Sequence, residues 1–244
     1  MTRTATANSA NQLFWVADQV IAKDFPPVSS ALRDPDGLLA IGGDLSPARL
    51  LVAYRRGIFP WFSSGQPILW WSPNPRCVLE PDKLKVSRSL QKTLRQARYR
   101  ITCNQAFGEV INACTRKEQV ETDTWITPEV IDAYTRLHEG GHVLSVESWD
   151  QNGLAGGLYG VIIGRIFFGE SMFSRRPDAS KAALAGLCQA LQQGGFRLID
   201  CQVYSRHLHS LGAVPIPREL FVNILDQYCD REAFAGWQEG LASP

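Results

Sequence analysis

Two apolar runs in the second half of the chain each carry an acidic residue, and this limits how the chain can fold. Glu170 lies within the run 167–174, and Asp200 directly follows the run 196–199. A buried charge without a partner is strongly disfavoured, so each acid needs a compensating group. Side chains alternate along a strand, which predicts that Asp200 and Gln202 face the same way. We interpret the pattern as a pocket with a few placed polar groups; two structural acids satisfied by backbone donors or an arginine are the alternative.

The order of predicted elements indicates a mixed α/β (α+β) fold. Gly140-Gly141 and Gly194-Gly195 each end a predicted helix. The patterns predict strands at 143–149, 154–161, 165–170 and 196–203, and helices at 127–139 and 179–193. Gly156, Gly157 and Gly160 fall inside a strand pattern, where glycine indicates close backbone approach rather than a nucleotide loop.

The first third of the chain reads as a small, loop-rich unit. Ser46 can cap a helix that Pro47 opens and Gly57 ends. The remainder of this unit, from residue 25 to 75, is rich in tryptophan and proline and needs a larger neighbour to pack on. For a length of 244 residues we therefore expect a small N-terminal domain at 1–75 and a larger domain at 76–244.

Positive charge is concentrated in one segment of a chain whose net charge is only +1. Residues 83–100 hold seven basic residues and no acid. A helix predicted at 87–97 places Arg88, Lys92 and Arg95 on one face. Such a patch favours a polyanionic partner over a merely solvated helix face, because no acids alternate with the bases.

Several classes of function lack their residues. The six cysteines form no Cys-x-x-Cys pair and the four histidines have no ligand spacing, so we expect no metal site. There is no phosphate loop and no Gly-x-Ser-x-Gly nucleophile setting, so we expect no cofactor and no covalent nucleophile. No run of 18 apolar residues and no apolar signal core is present, which predicts a cytoplasmic protein without a membrane partner.

Two tryptophans are candidates for binding a nucleotide base. A single tryptophan more often belongs to a core, but aromatic rings beside a basic helix can stack on unpaired bases while cations hold phosphates. Trp61 lies in a turn-rich segment, and Trp125 follows the polar turn 122–124, which favours exposed rings.

The chain resembles the leucyl/phenylalanyl-tRNA–protein transferase family from about residue 25 to 225. Six motifs in the right order carry the resemblance: Gly37-Leu38-Leu39-Ala40-Ile41-Gly42-Gly43-Asp44-Leu45-Ser46, Gly57-Ile58-Phe59-Pro60-Trp61-Phe62, Trp70-Trp71-Ser72-Pro73, Thr124-Trp125-Ile126-Thr127, Gly169-Glu170-Ser171-Met172-Phe173-Ser174 and Leu198-Ile199-Asp200-Cys201-Gln202. Motifs of this length and order make the resemblance highly specific.

The resemblance implies a cytosolic bacterial enzyme of the N-degron pathway, which marks proteins for degradation. It implies transfer of Leu or Phe, and less readily Met, from aminoacyl-tRNA to proteins whose N-terminal residue is Arg or Lys. It also implies a catalytic domain similar to the acetyltransferase (GNAT) fold behind a small N-terminal domain. No cofactor is implied, because an aminoacyl ester is already activated for amide formation.

Roles for individual residues come with the same resemblance. Asp200 and Gln202 match the pair assigned to peptide-bond formation, and Glu170 matches an acid beside the acceptor amine. Trp61 and Trp125 match residues that hold the terminal adenosine. The pocket for the donor side chain matches Leu158, Phe167, Met172, Leu184 and Ile199, and the family often has Met at the position of Leu158.

Two other functions remain open at this stage. An acyl-CoA-dependent N-acyltransferase would share the fold, but it needs a backbone loop for pyrophosphate that we do not find. A non-catalytic tRNA-binding protein would account for the basic helix but not for the buried acids. Turnover with charged tRNA and an Arg-peptide separates these hypotheses.

Overall fold

The computed structural model describes residues 13–17, 25–115 and 125–241 of the chain. These residues form a four-stranded sheet, a seven-stranded sheet and helices that pack on them. The mixed α/β class is therefore confirmed. The predicted turn at 122–124 lies outside the described residues.

The smaller sheet is built from the N-terminal part of the chain. Its strands are Phe14–Val16 (β1), Leu38–Gly42 (β2), Phe59–Pro60 (β3) and Leu69–Trp71 (β4), in the order β1-β2-β4-β3. β1 pairs with β2 in parallel, whereas β4 pairs antiparallel with both β2 and β3. The segment predicted to be loop-rich, 25–75, also contains three short strands that were not predicted, because strands of two to five residues give little alternating pattern.

Helix α1, Pro47–Arg55, follows β2 and was predicted correctly. The Ser46 side chain accepts a hydrogen bond from the backbone N–H of Arg49, and Pro47 occupies the first turn, where its missing N–H costs nothing. Gly57 follows the helix with a φ of +75°, a conformation that favours glycine. These residues fix where the chain leaves α1 and enters β3.

The larger sheet has the order β11-β5-β10-β9-β8-β7-β6. Its strands are Arg76–Leu79 (β5), Arg100–Cys103 (β6), Val143–Asp150 (β7), Gly153–Ile163 (β8), Ile166–Ser174 (β9), Leu198–Gln202 (β10) and Val214–Ile216 (β11). Neighbours pair antiparallel except β9 and β10, which are parallel. A parallel pair needs a crossover, and helix α5, Ala179–Gln193, connects these two strands.

Helices cover both faces of the larger sheet. Besides α1 and α5, the described α-helices are Arg88–Arg95 (α2), Phe107–Thr115 (α3), Pro128–Glu139 (α4), Arg206–Ser210 (α6) and Arg218–Tyr228 (α7). One apolar cluster joins Leu187 of α5 to Leu144 and Ile199 of the sheet. A second cluster joins α1, α3, α4 and α7 to the opposite face and includes Phe168. The first three residues of β9 and of β10 are thus buried on both faces, which explains the apolar runs at the start of these strands.

Two β-bulges interrupt neighbouring strands at corresponding positions. In β9, Tyr159 pairs with Ser171 and Gly160 with Gly169, so Glu170 has no partner across the ladder. In β10, Asp200 pairs with Val78 and Gln202 with Cys77, so Cys201 is the extra residue. Bulges re-aim side chains, and both of these lie where the sequence places its acids.

Most predicted element bounds agree with the structure, but some do not. The strand predicted at 165–170 continues to Ser174, because its bulge interrupts pairing without ending the strand. β5, β6 and β11 were not predicted, since each has only three or four residues.

Gly160 illustrates the close backbone approach predicted for the glycines of β8. A Cβ at this position would lie 2.2 Å from the carbonyl oxygen of Phe168 and 2.5 Å from the Phe167 ring. We expect Gly160→Ala to lower the free energy of unfolding by about 1–3 kcal/mol, the usual cost of overpacking. The measurement is urea denaturation.

Gly108→Ala is the matched control. A Cβ there meets nothing within 4 Å, and Gly108 lies in α3, so alanine should stabilise the protein by up to about 1 kcal/mol. Equal effects of the two substitutions would contradict the close approach at Gly160.

Candidate active site

Glu170 lies in a ring of hydroxyl groups contributed by distant parts of the chain. The Tyr54 hydroxyl donates to Oε1 at 2.7 Å, and the Tyr134 hydroxyl donates to Oε2 at 3.0 Å. The two tyrosine hydroxyls also contact each other. The side-chain amide of Gln202 donates to Oε1 at 3.0 Å. Among the described residues, the half-buried carboxylate of Glu170 therefore has neutral donors but no cation in direct contact.

Burial raises the pKa of Glu170 to about 7, although the hydrogen bonds from Tyr54 and Tyr134 act against the rise. Both tyrosines have pKa values raised well above the ordinary range, chiefly by burial, and keep their protons. The ring has three oxygen–oxygen contacts: Tyr54 to Glu170, Tyr134 to Glu170, and Tyr54 to Tyr134. The two tyrosines supply two protons to these contacts, and a neutral Glu170 supplies a third. The ring has one proton for each contact only in the neutral state.

Asp200 has a different environment, because it is paired with a buried arginine. Both residues are at most 1% exposed. Arg76 Nε donates to Oδ1 at 2.8 Å and Nη2 to Oδ2 at 2.6 Å. Oδ1 also accepts the backbone N–H of Gln202 at 2.9 Å. The alternative of an acid satisfied by an arginine is therefore found at Asp200.

The bulge at Cys201 breaks the regular alternation from which we predicted that Asp200 and Gln202 face the same way. Gln202 has a φ of +62°, outside the strand region. The two residues nevertheless stay joined, because the carboxylate of Asp200 accepts the backbone N–H of Gln202.

Two cavities meet at these residues. The first, the apolar cavity, has a volume of about 450 Å³, and the second, the tryptophan cavity, about 590 Å³. Glu170, Cys201 and Gln202 line both. The apolar cavity includes all five residues predicted for the donor pocket: Leu158, Phe167, Met172, Leu184 and Ile199.

The tryptophan cavity brings Trp61 and Trp125 together with Trp71. Trp61 is 47% exposed, as predicted, whereas Trp125 is half-buried and packs against the core. Trp71 donates its indole N–H to the carbonyl oxygen of Trp61 at 2.7 Å, which fixes the backbone beneath the exposed ring. Trp70 is fully buried and contributes to the core instead.

The predicted basic helix is α2, capped by Ser87. Leu90 faces the core, while Arg88, Lys92 and Arg95 are exposed. Within the described residues none of these three cations has an ion-pair partner within 4.0 Å.

Three residues of the site were missed in the sequence. Tyr54 lies on the buried face of α1 and Tyr134 on that of α4, where a tyrosine is an ordinary core residue. Arg76 gave a usable signal: a charged residue directly before the apolar run Cys77-Val78-Leu79 requires a buried acid as its partner.

The described part of the chain contains no group of three or more residues placed to hold a metal ion. Among its helices, none is long and apolar enough to cross a membrane.

Comparison with known families shows to which family the chain belongs. The model of the family described as leucyl/phenylalanyl-tRNA protein transferase matches residues 78–226, and that of its N-terminal domain matches residues 43–74. The chain belongs to the leucyl/phenylalanyl-tRNA–protein transferase family. It is therefore an aminoacyltransferase, whose substrates are an aminoacyl-tRNA and a protein.

Curated relatives of the same description cover most of the chain. The protein from Pseudomonas syringae pv. syringae (strain B728a) is 56% identical over 88% of this chain and 93% of its own length. The protein from Stutzerimonas stutzeri (strain A1501) is 55% identical over 88% and 95%. That from Klebsiella pneumoniae (strain 342) is 56% identical over 82% and 85%.

Among solved structures, a GCN5-related N-acetyltransferase from Kribbella flavida is 18% identical, with a TM-score of 0.37 over 69% of this chain and 60% of its own. The structure of L-PGS from Bacillus licheniformis is 9% identical, with a TM-score of 0.37 over 83% and 64%.

The environment of Glu170 predicts a pH-dependent stability. Because its pKa rises from the ordinary 4.5 to about 7, the folded protein binds this proton more tightly than the unfolded chain does. The free energy of unfolding should therefore fall as the pH rises from about 4.5 to about 7. Glu170→Gln imitates the neutral form and should remove this fall, as measured by urea denaturation across the same pH range.

The control is Glu109→Gln, at an exposed position on α3, which should keep the wild-type pH profile. An unchanged profile in Glu170→Gln would show that Glu170 does not titrate in this range.

Proposed function

We propose that the two joined cavities hold the aminoacyl end of a charged tRNA. The amino-acid side chain occupies the apolar cavity, and the terminal adenosine occupies the tryptophan cavity. The observation that carries the proposal is the shared wall of Glu170, Cys201 and Gln202. The reactive ester joins the amino acid to the ribose, so it must lie where the two cavities meet.

The donors are Leu and Phe, and less readily Met. The apolar cavity is lined mainly by aliphatic and aromatic side chains, which favours an uncharged donor side chain. Side chains branched at Cβ, such as Val and Ile, place a methyl group near the ester, where Leu and Phe have none. One misplaced methyl group in an apolar pocket changes selectivity by about 10- to 200-fold.

Trp61 and Trp125 stack on the terminal adenosine, and α2 binds the tRNA backbone. Base–aromatic stacking tolerates any base, and phosphate contacts carry no sequence information. The unpaired cations of α2 support this role, because exposed Arg88, Lys92 and Arg95 can contact phosphates without losing an internal partner. One enzyme can therefore accept tRNAs that differ in sequence but share their 3′ end.

In the reaction the amine nitrogen of the acceptor attacks the ester carbonyl carbon. The bond from that carbon to the ribose oxygen breaks, and the oxygen leaves as a hydroxyl after taking the proton that the amine nitrogen loses on becoming the amide. A protonated acceptor amine must first lose its additional proton to a base, which later releases it to solvent. Glu170 can accept it, because its pKa of about 7 lies close to that of an α-amino group.

Asp200 and Gln202 then have complementary roles. Gln202 orients the amine and the ester beside Glu170. Asp200 supports Gln202, because both of its carboxylate oxygens already accept hydrogen bonds from Arg76. A carboxylate so engaged is a better anchor than a proton acceptor.

The acceptors are proteins with N-terminal Arg or Lys, and the product carries an N-degron. A carboxylate at the junction of the cavities supports this, since Glu170 attracts a cationic acceptor before it takes a proton. The cytoplasmic location follows from the substrates and stays a prediction.

A turnover assay tests the proposal. With an Arg-peptide, transfer of Leu and Phe should be efficient, transfer of Met slower, and transfer of Ile slower than that of Leu by at least about 10-fold. The measurement is release of radiolabelled amino acid from matched tRNAs into peptide. Comparable transfer of Ile and Leu would contradict the donor assignment.

The same preparation separates the two alternatives. A non-catalytic tRNA-binding protein would bind charged tRNA without turnover. An acyl-CoA-dependent enzyme would be protected against thermal unfolding by acetyl-CoA. We expect turnover and no protection.

Substitution of Trp61 tests the adenosine site. Puromycin imitates an aminoacyl-adenosine and should bind across both cavities. We expect Trp61→Ala to weaken puromycin binding by about 1–3 kcal/mol, with little change in melting temperature because the ring is 47% exposed.

Trp70→Ala is the matched control. This ring is fully buried, so its removal should cost about 3–5 kcal/mol of stability. Calorimetry and thermal melting of both variants distinguish the roles. A large melting loss in Trp61→Ala with unchanged puromycin affinity would assign Trp61 to the core.

A further inference from the structure

A fully buried arginine, Arg76, lies behind the site, where it is paired with Asp200. We propose that Arg76 is a positioning residue for aminoacyl transfer, acting through Asp200 to hold Gln202 at the junction of the two cavities. This inference rests on the proposed function. The contacts run from Arg76 through Asp200 and Gln202 to Glu170, the carboxylate at the junction of the two cavities.

The orientation of the Arg76 guanidinium is determined on every side. Two of its nitrogens form the paired hydrogen bonds to Asp200, and Nη1 donates to the carbonyl oxygen of Gly57 at 3.1 Å. Its planar group lies between the rings of Phe59 and Phe221, at 4.6 and 4.7 Å from their centroids. Lysine cannot reproduce this arrangement, because it lacks both the planar fork and the flat face.

The carboxylate of Asp200 transmits this orientation to the backbone of the bulge. Oδ1 accepts from Arg76 and from the backbone N–H of Gln202. Gln202 has a φ of +62°, which is uncommon for a residue with a side chain and costs about 1–3 kcal/mol. Without the hydrogen bond to Asp200, regular strand backbone would be favoured at Gln202.

The last step leads from Gln202 to the reacting groups. Its side-chain amide donates to Oε1 of Glu170 at 3.0 Å, and both residues line the two cavities. If the bulge relaxed, this amide would move while the cavities kept their other walls. Arg76 thus governs the placement of Gln202 rather than substrate affinity.

The charges support the same assignment. Asp200 raises the pKa of Glu170 and Arg76 lowers it, in addition to the larger effect of burial. The buried pair presents no net charge to Glu170, so Asp200 can anchor Gln202 without greatly impeding ionisation of its neighbour.

The test uses Arg76→Lys in the full-length protein. Lysine keeps the positive charge but not the paired hydrogen bonds. We expect kcat for Leu transfer to fall by about 10- to 100-fold, since small misplacements have effects of this size. KM for Leu-tRNA should change by less than about twofold, because the lost interaction positions the reaction and not the bound substrate.

Arg218→Lys is the matched control. Arg218 is a half-buried arginine of α7 whose Nη1 donates to the carbonyl oxygen of Ser72, whereas the hydrogen bonds to the Asp200 carboxylate come from Arg76 and Gln202. We expect it to keep wild-type kcat. A wild-type kcat in Arg76→Lys, or a raised KM with unchanged kcat, would overturn the proposal.

A double variant separates positioning from simple stability. Replacing a buried ion pair by apolar residues often restores stability, so Arg76→Met/Asp200→Leu should melt near the wild-type temperature. We expect its kcat to remain low. Recovery of kcat together with melting temperature would mean that the pair only stabilises the fold, and would overturn the proposal even if Arg76→Lys does not fold.

A measurement independent of turnover completes the design. The side-chain amide resonances of Gln202 in ¹H–¹⁵N spectra can be assigned by their absence in Gln202→Leu. They should shift in Arg76→Lys and not in Arg218→Lys. If the wild-type protein transferred no amino acid, the proposed function would fail while this shift still tested Arg76; an unmoved resonance would overturn the role of Arg76 alone.

Discussion

Two carboxylates lie inside one β-sheet, and the rest of the site depends on how each is stabilised there. Asp200 has a cation as its partner, held by two parallel hydrogen bonds. In the described part of the chain the donors to Glu170 are neutral, two tyrosines and an amide. Burial raises the pKa of Glu170 to about 7, more than the hydrogen bonds from the tyrosines lower it. The two carboxylates of the sheet therefore differ: Asp200 is held in place by an arginine, and Glu170 has a pKa near neutrality.

The N-terminal part of the chain completes this site. Tyr54 of α1 contacts Glu170, the Gly57 carbonyl contacts Arg76, and the Phe59 ring covers the guanidinium. Trp61 then lines the tryptophan cavity a few residues further on. One short stretch of chain therefore contacts Glu170, contacts Arg76 and lines a cavity. The smaller sheet is the framework that holds this stretch against β9 and β10.

Local patterns predicted the elements that local interactions determine. Ser46, Pro47 and Gly57 bound α1 through capping and backbone conformation, and the glycines after 139 and 193 end α4 and α5. The five apolar residues that the family resemblance assigns to a donor pocket line one cavity. These features depend on residues that are near in sequence or are carried by recognisable motifs.

The remaining features depend on contacts between distant residues. Arg76 and Asp200 are 124 residues apart, and Tyr54 and Glu170 are 116 apart, so no local pattern joins them. The alternation of side chains along a strand did not suffice at Asp200 and Gln202, because a bulge at Cys201 inserts one residue and breaks the period of two. Pairing across the sheet decides where a bulge forms, and a single strand does not contain that information.

The ring of four oxygens formed by Glu170, Tyr54 and Tyr134 also bears on how the proposed reaction would return the site to its starting state. An ionised Glu170 leaves the ring one proton short of one for each contact, and in the proposed reaction the proton taken from an acceptor amine would supply it. The neutral carboxyl group would then donate from one oxygen to a tyrosine hydroxyl, the tyrosines would donate in turn, and the other carboxyl oxygen would accept. Loss of that proton before the next reaction would open this chain of hydrogen bonds again. Because burial favours the neutral carboxyl group and the tyrosine hydrogen bonds favour the ionised one, both forms of Glu170 are populated near neutral pH, before any substrate binds.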